Sequence, residues 1–381
     1  MSEWKKVSLS EMGIVSRGKS KHRPRNDTRL YGGRYPFIQT GDIGAAGLYV
    51  TDYSQTYNEE GLAQSKLWEK NTLCITIAAN IADTALLAFP ACFPDSIMGF
   101  VPHKDVANVK YVKYCFDILK KDCQQISQGT AQDNLSWKKL STIKFPCPPL
   151  EVQNRIATIL SRYDSLIENY QKQIKLLEEA AQRLYKEWFV DLRFPGHENT
   201  KIVNGVPEGW TPSQLGQLAE FKRGKTITKK NVIDGDIPVV AGGLEPAYYC
   251  NKSNTAERVI TISGSGANAG FTRMYFEKVW ASDCSFVDAS VTPFLHFVYC
   301  YLKDNKTTID NMQKGAAQPH VYAKDINSLG LCIPIESILK SFEGKISKYF
   351  DSISSLQSQI RLLTEARDRL LPKLMSGAIE V

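Results

Sequence analysis

Residues 156–188, IATILSRYDSLIENYQKQIKLLEEAAQRLYKEW, carry an unbroken heptad pattern. Apolar or aromatic side chains recur at alternating steps of four and three residues, at Ile156, Leu160, Tyr163, Ile167, Tyr170, Ile174, Leu177, Ala181, Leu184 and Trp188. Such a seam is typical of a helix that packs lengthwise on another helix. At about 1.5 Å per residue, this helix would be roughly 50 Å long.

A second copy of the seam stands 186 residues later in the same chain. Its members are Phe342, Ile346, Tyr349, Ile353, Leu356, Ile360, Leu363, Arg367, Leu370 and Leu374. Arg367 interrupts the apolar pattern, and Pro372 should kink or stop this helix near its end. Two long helices with a shared register are therefore predicted. The expected helix-pair interface comprises Ile167, Ile174, Leu177, Leu184, Trp188, Ile353, Ile360, Leu363 and Leu370.

The segments before the two helices also resemble each other. Trp4 and the triplet Arg17–Lys19 recur 206 residues later, as Trp210 and Arg223–Lys225. The β-prone Ile75–Ile77 corresponds to Ile260–Ile262. A helix over Val109–Lys121 is predicted, with a counterpart at about Val291–Lys303, in which Pro293 suits the first turn. The chain therefore reads as globule, helix, globule, helix.

This order gives an α+β fold with a pseudo-two-fold internal repeat. The predicted divisions are a first globule at 1–149, a long helix at 150–195, a linker at 196–208, a second globule at 209–333 and a C-terminal long helix at 334–381. Each globule should contain short strands and few long helices.

Composition narrows the class of protein. A chain of 381 residues with 43% hydrophobic content suits a multidomain globular protein. With neither a long apolar run nor an apolar segment after Met1–Lys6, a cytoplasmic location is expected. The nine cysteines form no CxxC pair and the five histidines no HExxH, so buried reduced thiols are expected and a metal site is not. The net charge of +7 permits a polyanionic partner.

The triplet shared by the globules lies in a basic neighbourhood in both copies. The cationic candidates for DNA contact are Arg17, Lys19, Lys21, Arg23 and Arg25 in the first copy, and Arg223, Lys225, Lys229 and Lys230 in the second. Glycine between two cations would let the backbone approach a phosphate, and arginine can read guanine. The alternative is a solvated charged loop.

The first copy also matches a phosphate-binding loop. Gly13–Ser20 satisfies GxxxxGK[ST], but a genuine P-loop lies between a buried strand and a helix. Val7–Leu9 is a weak strand, Pro24 and its charged neighbours do not predict a helix, and the second copy has Ala219 in place of Gly13. ATP binding is therefore not predicted.

Two further segments correspond, Gln128–Lys138 and Lys314–Lys324. Small residues would let them approach DNA, and Gln or Asn can pair with adenine edges. The candidates are Gln132, Asn134, Lys138, Gln318, His320 and Lys324. The alternative is a turn that simply leads back to the long helix.

The sequence resembles the specificity (S) subunits of type I restriction-modification systems. The resemblance rests on Leu184–Asp191 with Arg193–His197, on Leu370–Gly377, and on the Pro-x-Pro-Leu-Glu-x-Gln motif at Pro146–Gln153. It implies that each globule is a target recognition domain that reads half of a bipartite DNA site. It also implies that the helices pair antiparallel as a coiled-coil spacer and dock two methyltransferase (M) subunits, joined by motor-nuclease (R) subunits for restriction in host defence. Because the globules differ in most residues, an asymmetric site is expected.

Catalysis is not predicted for this chain. The [ND]PP[YF] motif of adenine methylation is missing, since Cys147-Pro148-Pro149-Leu150 lacks the Asn or Asp and the aromatic residue. By the resemblance, S-adenosylmethionine, ATP and Mg would bind only to partner subunits. Two alternatives remain open: a single-chain or orphan DNA methyltransferase component, and a coiled-coil scaffold whose globules bind protein. Selective DNA binding would distinguish a specificity subunit from a coiled-coil scaffold that binds protein.

Overall fold

Two long helices run through the computed structural model, which describes residues 4–78, 80–127, 135–313 and 319–381. The first is Leu150–Tyr185, extended by a π-helical turn at Lys186–Val190, and the second is Glu336–Met375. The chain divides into two compact units, unit 1 with residues 1–171 and 358–381, and unit 2 with residues 172–357. Each long helix therefore contributes one part to each unit. Among the described residues, none of the helices combines the length and hydropathy needed to span a bilayer.

Unit 1 contains short strands and mostly short helices. The strands are β1 (Lys6–Val7), β2 (Gly13–Arg17), β3 (Tyr31–Phe37), β4 (Tyr49–Val50), β5 (Gln55–Tyr57), β6 (Leu73–Thr76), β7 (Thr84–Leu87), β8 (Ile97–Pro102) and β9 (Phe145–Pro146). The helices are α1 (Leu9–Met12), α2 (Thr40–Ala45), α3 (Glu59–Ala63), α4 (Val109–Ser127), α5 (Trp137–Leu140) and the first part of the long helix α6 (Leu150–Tyr185), with a 3-10 turn at Thr28–Leu30.

The central sheet of unit 1 has the order β2-β8-β6-β7-β4. Strands β6 and β7 are buried at every position, because apolar runs such as Leu73–Thr76 are covered on both faces. One face packs on α4 and on Ile156 and Leu160 of α6. The predicted helix at Val109 is confirmed and extends to Ser127, six residues beyond the expected end.

Unit 2 has the corresponding elements. The strands are β10 (Ile202–Val203), β11 (Val206–Pro207), β12 (Thr211–Gln214), β13 (Lys222–Arg223), β14 (Ile237–Val240), β15 (Tyr248–Cys250), β16 (Val259–Ser263), β17 (Thr272–Tyr275), β18 (Trp280–Ala281), β19 (Cys284–Asp288) and β20 (Gly330–Ile333). The helices are α7 (Leu215–Leu218), α8 (Leu295–Asp304), α9 (Lys306–Asn311), α10 (Ala323–Asn327) and part of the long helix α11 (Glu336–Met375), with 3-10 turns at His197–Asn199, Lys229–Asn231 and Gly266–Asn268.

The strand order of unit 2 repeats that of unit 1. The sheet β13-β19-β16-β17 matches β2-β8-β6-β7, and the antiparallel pair β12–β20 matches β1–β9. The parallel pairing of β14 with β18 has its counterpart in the parallel bridge between Phe37 and Cys92. The predicted α+β fold with an internal repeat is thus confirmed by the topology.

The start of α8 differs from the prediction. The helix begins at Leu295 rather than Val291, so Pro293 lies before the first turn instead of within it. The residues ahead of it are held in turns, since the Ser290 N–H donates to Asp288 Oδ1 at 3.0 Å and the Phe294 N–H to Thr292 Oγ1 at 3.3 Å. These local bonds compete with helix formation, which explains the shift.

Within unit 1, the parts of α6 and α11 run antiparallel. Leu374 of α11 is buried in the same core as Ile156 of α6, and further along Arg367 donates to Asp164 at 2.7 Å. Arg367 is therefore no defect in the seam, because the opposite helix supplies a carboxylate at that level. Pro372 lies inside α11, which continues to Met375 before it ends.

Within unit 2, the other parts of the two helices are also antiparallel. Trp188 packs on Phe342 with ring centroids 5.6 Å apart, and toward the opposite end Ile353 shares a core with Ile174 and Leu177. Of the predicted interface residues, Trp188 and Ile353 are buried. The others are half-buried, namely Ile167, Ile174, Leu177, Leu184, Ile360, Leu363 and Leu370.

Candidate nucleic-acid interface

A basic turn follows the edge strand β2 of unit 1, formed by Arg17, Gly18 and Lys19. The Gly18 N–H donates to Ile97 O at 2.8 Å, and the Lys19 N–H donates to Phe93 O at 3.0 Å. A Cβ on Gly18 would lie 2.2 Å from the carbonyl oxygen of Pro94. The turn is thus fixed against the segment that leads into β8.

Unit 2 builds the same turn from Arg223, Gly224 and Lys225. The Gly224 N–H donates to Cys284 O at 2.8 Å, and the Lys225 N–H donates to Ala281 O at 2.9 Å. A Cβ on Gly224 would lie 2.4 Å from Ser282 O. The structure gives these glycines a reason that the sequence did not suggest. Their N–H groups are used by protein carbonyls rather than left for a phosphate, and glycine is required because the backbone of the neighbouring segment is so close.

A second pair of equivalent segments is tied to the same place. In unit 1 the Leu135 N–H donates to Ile77 O at 2.9 Å, and the Ile77 N–H donates to Ser96 O at 3.0 Å. Ser96 immediately precedes Ile97, which holds Gly18. We call this series of backbone hydrogen bonds the ladder. It joins the basic turn to the segment that contains α5.

The ladder recurs in unit 2 with different side chains. The Val321 N–H donates to Gly264 O and the Gly264 N–H to Asp283 O, both at 3.1 Å. Asp283 immediately precedes Cys284, which holds Gly224. The structure therefore brings together, in each unit, two segments that the sequence had marked separately as DNA-binding candidates.

The cations of unit 1 differ in their surroundings. Arg17, Lys21 and Lys138 are exposed, and Lys19 is half-buried. Arg25 pairs with Asp95 at 2.5 Å, and Arg23 lies 3.8 Å from the same carboxylate. Exposed ion pairs contribute little stability, so both arginines can exchange Asp95 for a phosphate at small cost.

In unit 2 the cations are exposed at Arg223, Lys225, Lys229, Lys230 and Lys324. Arg223 lies 4.0 Å from Asp283. His320 is half-buried, and the concavity that it lines is shared with Arg223, Asp283 and Tyr322. The arginine and lysine side chains can donate hydrogen bonds to acceptor atoms of duplex DNA. The Asp283 carboxylate can accept a hydrogen bond from a base amino group.

Three predicted residues, Gln132, Asn134 and Gln318, lie outside the described residues. Sequence reasoning also missed Asp95 and Asp283, the carboxylates nearest to the arginines. A weak signal was present, because Asp283 lies directly before β19 and Asp95 two residues before the equivalent strand β8.

The P-loop match at Gly13–Ser20 has no structural support. Gly13–Arg17 is itself the edge strand β2, and a 3-10 turn at Thr28–Leu30 is the next helical element among the described residues. A phosphate-binding loop would need a helix directly after the turn. In the parts of the chain that the structure describes, no three His, Cys, Asp or Glu side chains cluster as metal ligands.

Comparison with known proteins gives a family for both halves of the chain. The family model described as type I restriction modification DNA specificity domain matches residues 1–179 and 207–365. The MjaIX specificity subunit of Methanocaldococcus jannaschii is 27% identical over 100% of this chain and 94% of its own length. The MjaVIII specificity subunit of the same organism is 32% identical over 58% of this chain and 51% of its own.

A solved structure shares the fold. The type I restriction-modification S subunit from M. genitalium superposes with a TM-score of 0.62 and 17% sequence identity. The match covers 97% of this chain and 96% of the other.

Proposed function

The chain belongs to the type I restriction-modification DNA specificity family, and from this premise we propose that it is the DNA-reading specificity subunit of a type I complex. Each unit reads one half of a bipartite, asymmetric site. The two long helices set the spacer between the half-sites and dock methyltransferase subunits.

The observation that supports the proposal is the ladder, because it occurs in both units. In each, three backbone hydrogen bonds join the basic turn to the second candidate segment. Two separate parts of the chain, each carrying cations, are thus tied to one backbone that the sheet fixes. Base recognition needs such a rigid support, since a displacement of a fraction of an ångström removes a hydrogen bond.

The differences between the two ladders support an asymmetric target. Ser96 in unit 1 stands where unit 2 has Asp283, whose carboxylate lies near Arg223. A carboxylate repels phosphate but can accept a hydrogen bond from the amino group of cytosine. Two surfaces with the same scaffold and different side chains favour different half-sites.

Membership of the family supports the proposed partners. Methyl transfer, ATP hydrolysis and cleavage take place in two methyltransferase subunits and in motor-nuclease subunits, which bind S-adenosylmethionine, ATP and Mg. The chain itself contributes recognition and acts in the cytoplasm. In this proposal it has no catalytic residue, in keeping with the missing [ND]PP[YF] motif.

The experiment compares charge removal in one unit with charge removal in the other. The target is first defined by methylome sequencing of a strain with and without this chain. Arg223→Ala/Lys225→Ala should then weaken binding to that duplex by about 10- to 100-fold, as expected for the loss of one base or phosphate contact per residue. The loss should map to one half-site by interference footprinting, and Arg17→Ala/Lys19→Ala should affect the other.

Lys201→Ala is the matched control, since this exposed lysine lies outside both ladders. Equal losses at both half-sites would show that the two-reader proposal is wrong. If no sequence-selective shift appears with any methyltransferase partner, the chain is not a DNA-reading subunit.

A further inference from the structure

The α5 and α10 segments each expose one large aromatic side chain beside the ladder. Trp137 is 41% exposed at the first residue of α5, and Tyr322 is 38% exposed directly before α10. Single exposed aromatic residues are common on protein surfaces and by themselves mean little. These two differ because each lies beside the last residue of a ladder, Trp137 two positions after Leu135 and Tyr322 one position after Val321. They therefore occupy neighbouring, not identical, positions of the internal repeat.

Buried residues on either side fix the positions of both aromatic residues. Leu135 and Leu140 flank Trp137 and are fully buried, and Ser136 accepts the Lys139 N–H at 3.3 Å to begin the helix. In unit 2, Val321 and Ile326 are the corresponding buried anchors of the segment that carries Tyr322. The aromatic side chains are therefore held outward by a buried base, and they do not lie on a loose loop.

The surroundings of Tyr322 are those of a nucleic-acid surface. The His320 ring lies nearly parallel to it, at 12° and 5.9 Å between centroids, and Lys324 Nζ lies 5.9 Å from the ring centroid. Tyr322 and Arg223 line the same concavity. An apolar ring among cations suits a ligand that carries both phosphates and apolar groups.

We propose that Trp137 and Tyr322 contact DNA, one in each half-site, by packing against the apolar groups of a nucleotide, the thymine methyl or the deoxyribose. The inference rests on the proposed function and adds two residues to it. Full insertion of either ring between base pairs does not fit, because more than half of each residue's surface is already covered by the protein. Contact with a methyl or a sugar needs only one edge or face.

Protection of the native chain is the first test. The full-length chain with its methyltransferase partner is footprinted by hydroxyl radicals and mass spectrometry, with and without the target duplex. Modification of Trp137 and Tyr322 should fall several-fold when the duplex is present. Tyr249, which is 54% exposed in β15, should be modified equally in both samples. Unchanged modification of both Trp137 and Tyr322, in a sample where the duplex is bound, would overturn the inference while leaving the proposed function intact.

Variants give the second test. Trp137→Ala and Tyr322→Ala should each weaken specific binding by ~10-fold, the scale of one lost base contact. Trp137→Phe and Tyr322→Phe should retain most of the affinity, and Tyr249→Ala should retain all of it. Wild-type affinity in both alanine variants would contradict the inference.

Replacement of thymidine by deoxyuridine in each half-site separates the two sources of apolar contact. If the thymine methyl is the ligand, the wild type should lose affinity and the alanine variants should not lose more. If the deoxyribose is the ligand, the replacement should leave wild-type binding unchanged, while the alanine variants still bind more weakly. Failure of the wild-type complex to bind any target would instead count against the proposed function.

Discussion

At the scale of single residues, Gly18 and Gly224 connect the sequence pattern to the site. Neither has a positive φ, and both are required because a carbonyl oxygen occupies the direction of a side chain. We expect Gly18→Ala or Gly224→Ala to lower the free energy of unfolding by about 1–3 kcal/mol, because the backbone of the neighbouring segment must move. Each substitution should also weaken binding to one half-site of the DNA, since the basic turn moves with the displaced backbone. Chemical denaturation and footprinting measure the two effects.

Gly47→Ala and Gly330→Ala are the controls for the two units, because an added Cβ at either position meets nothing within 4 Å. They should change the free energy of unfolding by less than about 0.5 kcal/mol. If the controls were as destabilising as Gly18→Ala and Gly224→Ala, the steric explanation would be wrong.

The cysteines give a second prediction at this scale. All nine are unpaired, and seven are buried, in agreement with the expected buried thiols. Burial raises the pKa of Cys123 to about 11 and that of Cys284 to about 12. The thiolate is the reactive form, so a raised pKa lowers reactivity at pH 8. Ellman's reagent should therefore label at most the half-buried Cys147 and Cys332 in the native protein, and all nine in guanidinium. Rapid labelling of three or more native thiols would contradict this.

At the scale of elements, the ion pair between Asp164 of α6 and Arg367 of α11 links the two long-helix segments of unit 1. The Tyr114 hydroxyl of α4 donates to the same carboxylate, whose side chain is only 9% exposed. Burial lowers the pKa of Arg367, but the hydrogen bonds with Asp164 and Asp368 outweigh it and leave that pKa raised. Burial, followed by Asp164, raises the pKa of Tyr114.

Arg367→Leu would complete the apolar seam, yet we expect it to destabilise the chain by about 2–4 kcal/mol, because it leaves the Asp164 charge buried without its partner. Asp164→Asn/Arg367→Leu removes that charge and keeps an acceptor for Tyr114. The double variant should therefore unfold at higher denaturant concentration than Arg367→Leu. If the losses of unfolding free energy in Asp164→Asn and in Arg367→Leu add up to the loss in the double variant, the two charges are not coupled.

In each unit, one polar side chain of a long helix also hydrogen-bonds to the start of another helix, α4 in unit 1 and α8 in unit 2. In unit 1 the buried Gln153 accepts the Asn108 N–H at 3.0 Å, just before α4. In unit 2 Glu343 accepts the Phe297 N–H at 2.9 Å and contacts His296 Nδ1 at 2.8 Å, in the first turn of α8. Arg258 approaches the other ring nitrogen, Nε2, at 3.2 Å. Because arginine only donates, Nε2 is the acceptor in this contact, and Nδ1 is left to donate to Glu343.

At the scale of the whole molecule, both long helices pass from one unit to the other, near residues 171 and 357. Seven residues inserted in each helix at these points would preserve the heptad register. They would add about 10 Å per helix, roughly the rise of three base pairs. We expect the preferred spacer of the DNA site to lengthen by up to about three base pairs, as measured by methylome sequencing.

A variant in which the same residues are exchanged without a change in length is the control, and it should keep the original spacer. An unchanged spacer preference in the longer chain would refute the role of the helices as a ruler. Insertion in one helix alone should disrupt the seam and lower the free energy of unfolding instead.

The sequence by itself determined the two long helices, the internal repeat and the α+β class. These features follow from periodicity and from local similarity, because backbone dihedrals set the direction of each side chain within a few residues. The starts of α6 and α11 were therefore within two residues of those expected, while α6 with its π-helical turn ended five residues early and α11 six. Helix α8 began later because short-range hydrogen bonds to Asp288 and Thr292 prevailed.

Only the tertiary structure decided which distant residues meet. The partner of Arg367 stands 203 positions away on an antiparallel helix. The ladders join segments that are far apart in the chain, and the neighbours of Gly18 and Gly224 come from the segments that precede β8 and β19. Such contacts depend on how whole sheets and helices bury their apolar faces, and no local pattern encodes that packing. For this reason the sequence could mark the cationic segments of the proposed DNA interface, whereas their common attachment to the ladder became visible only in the fold.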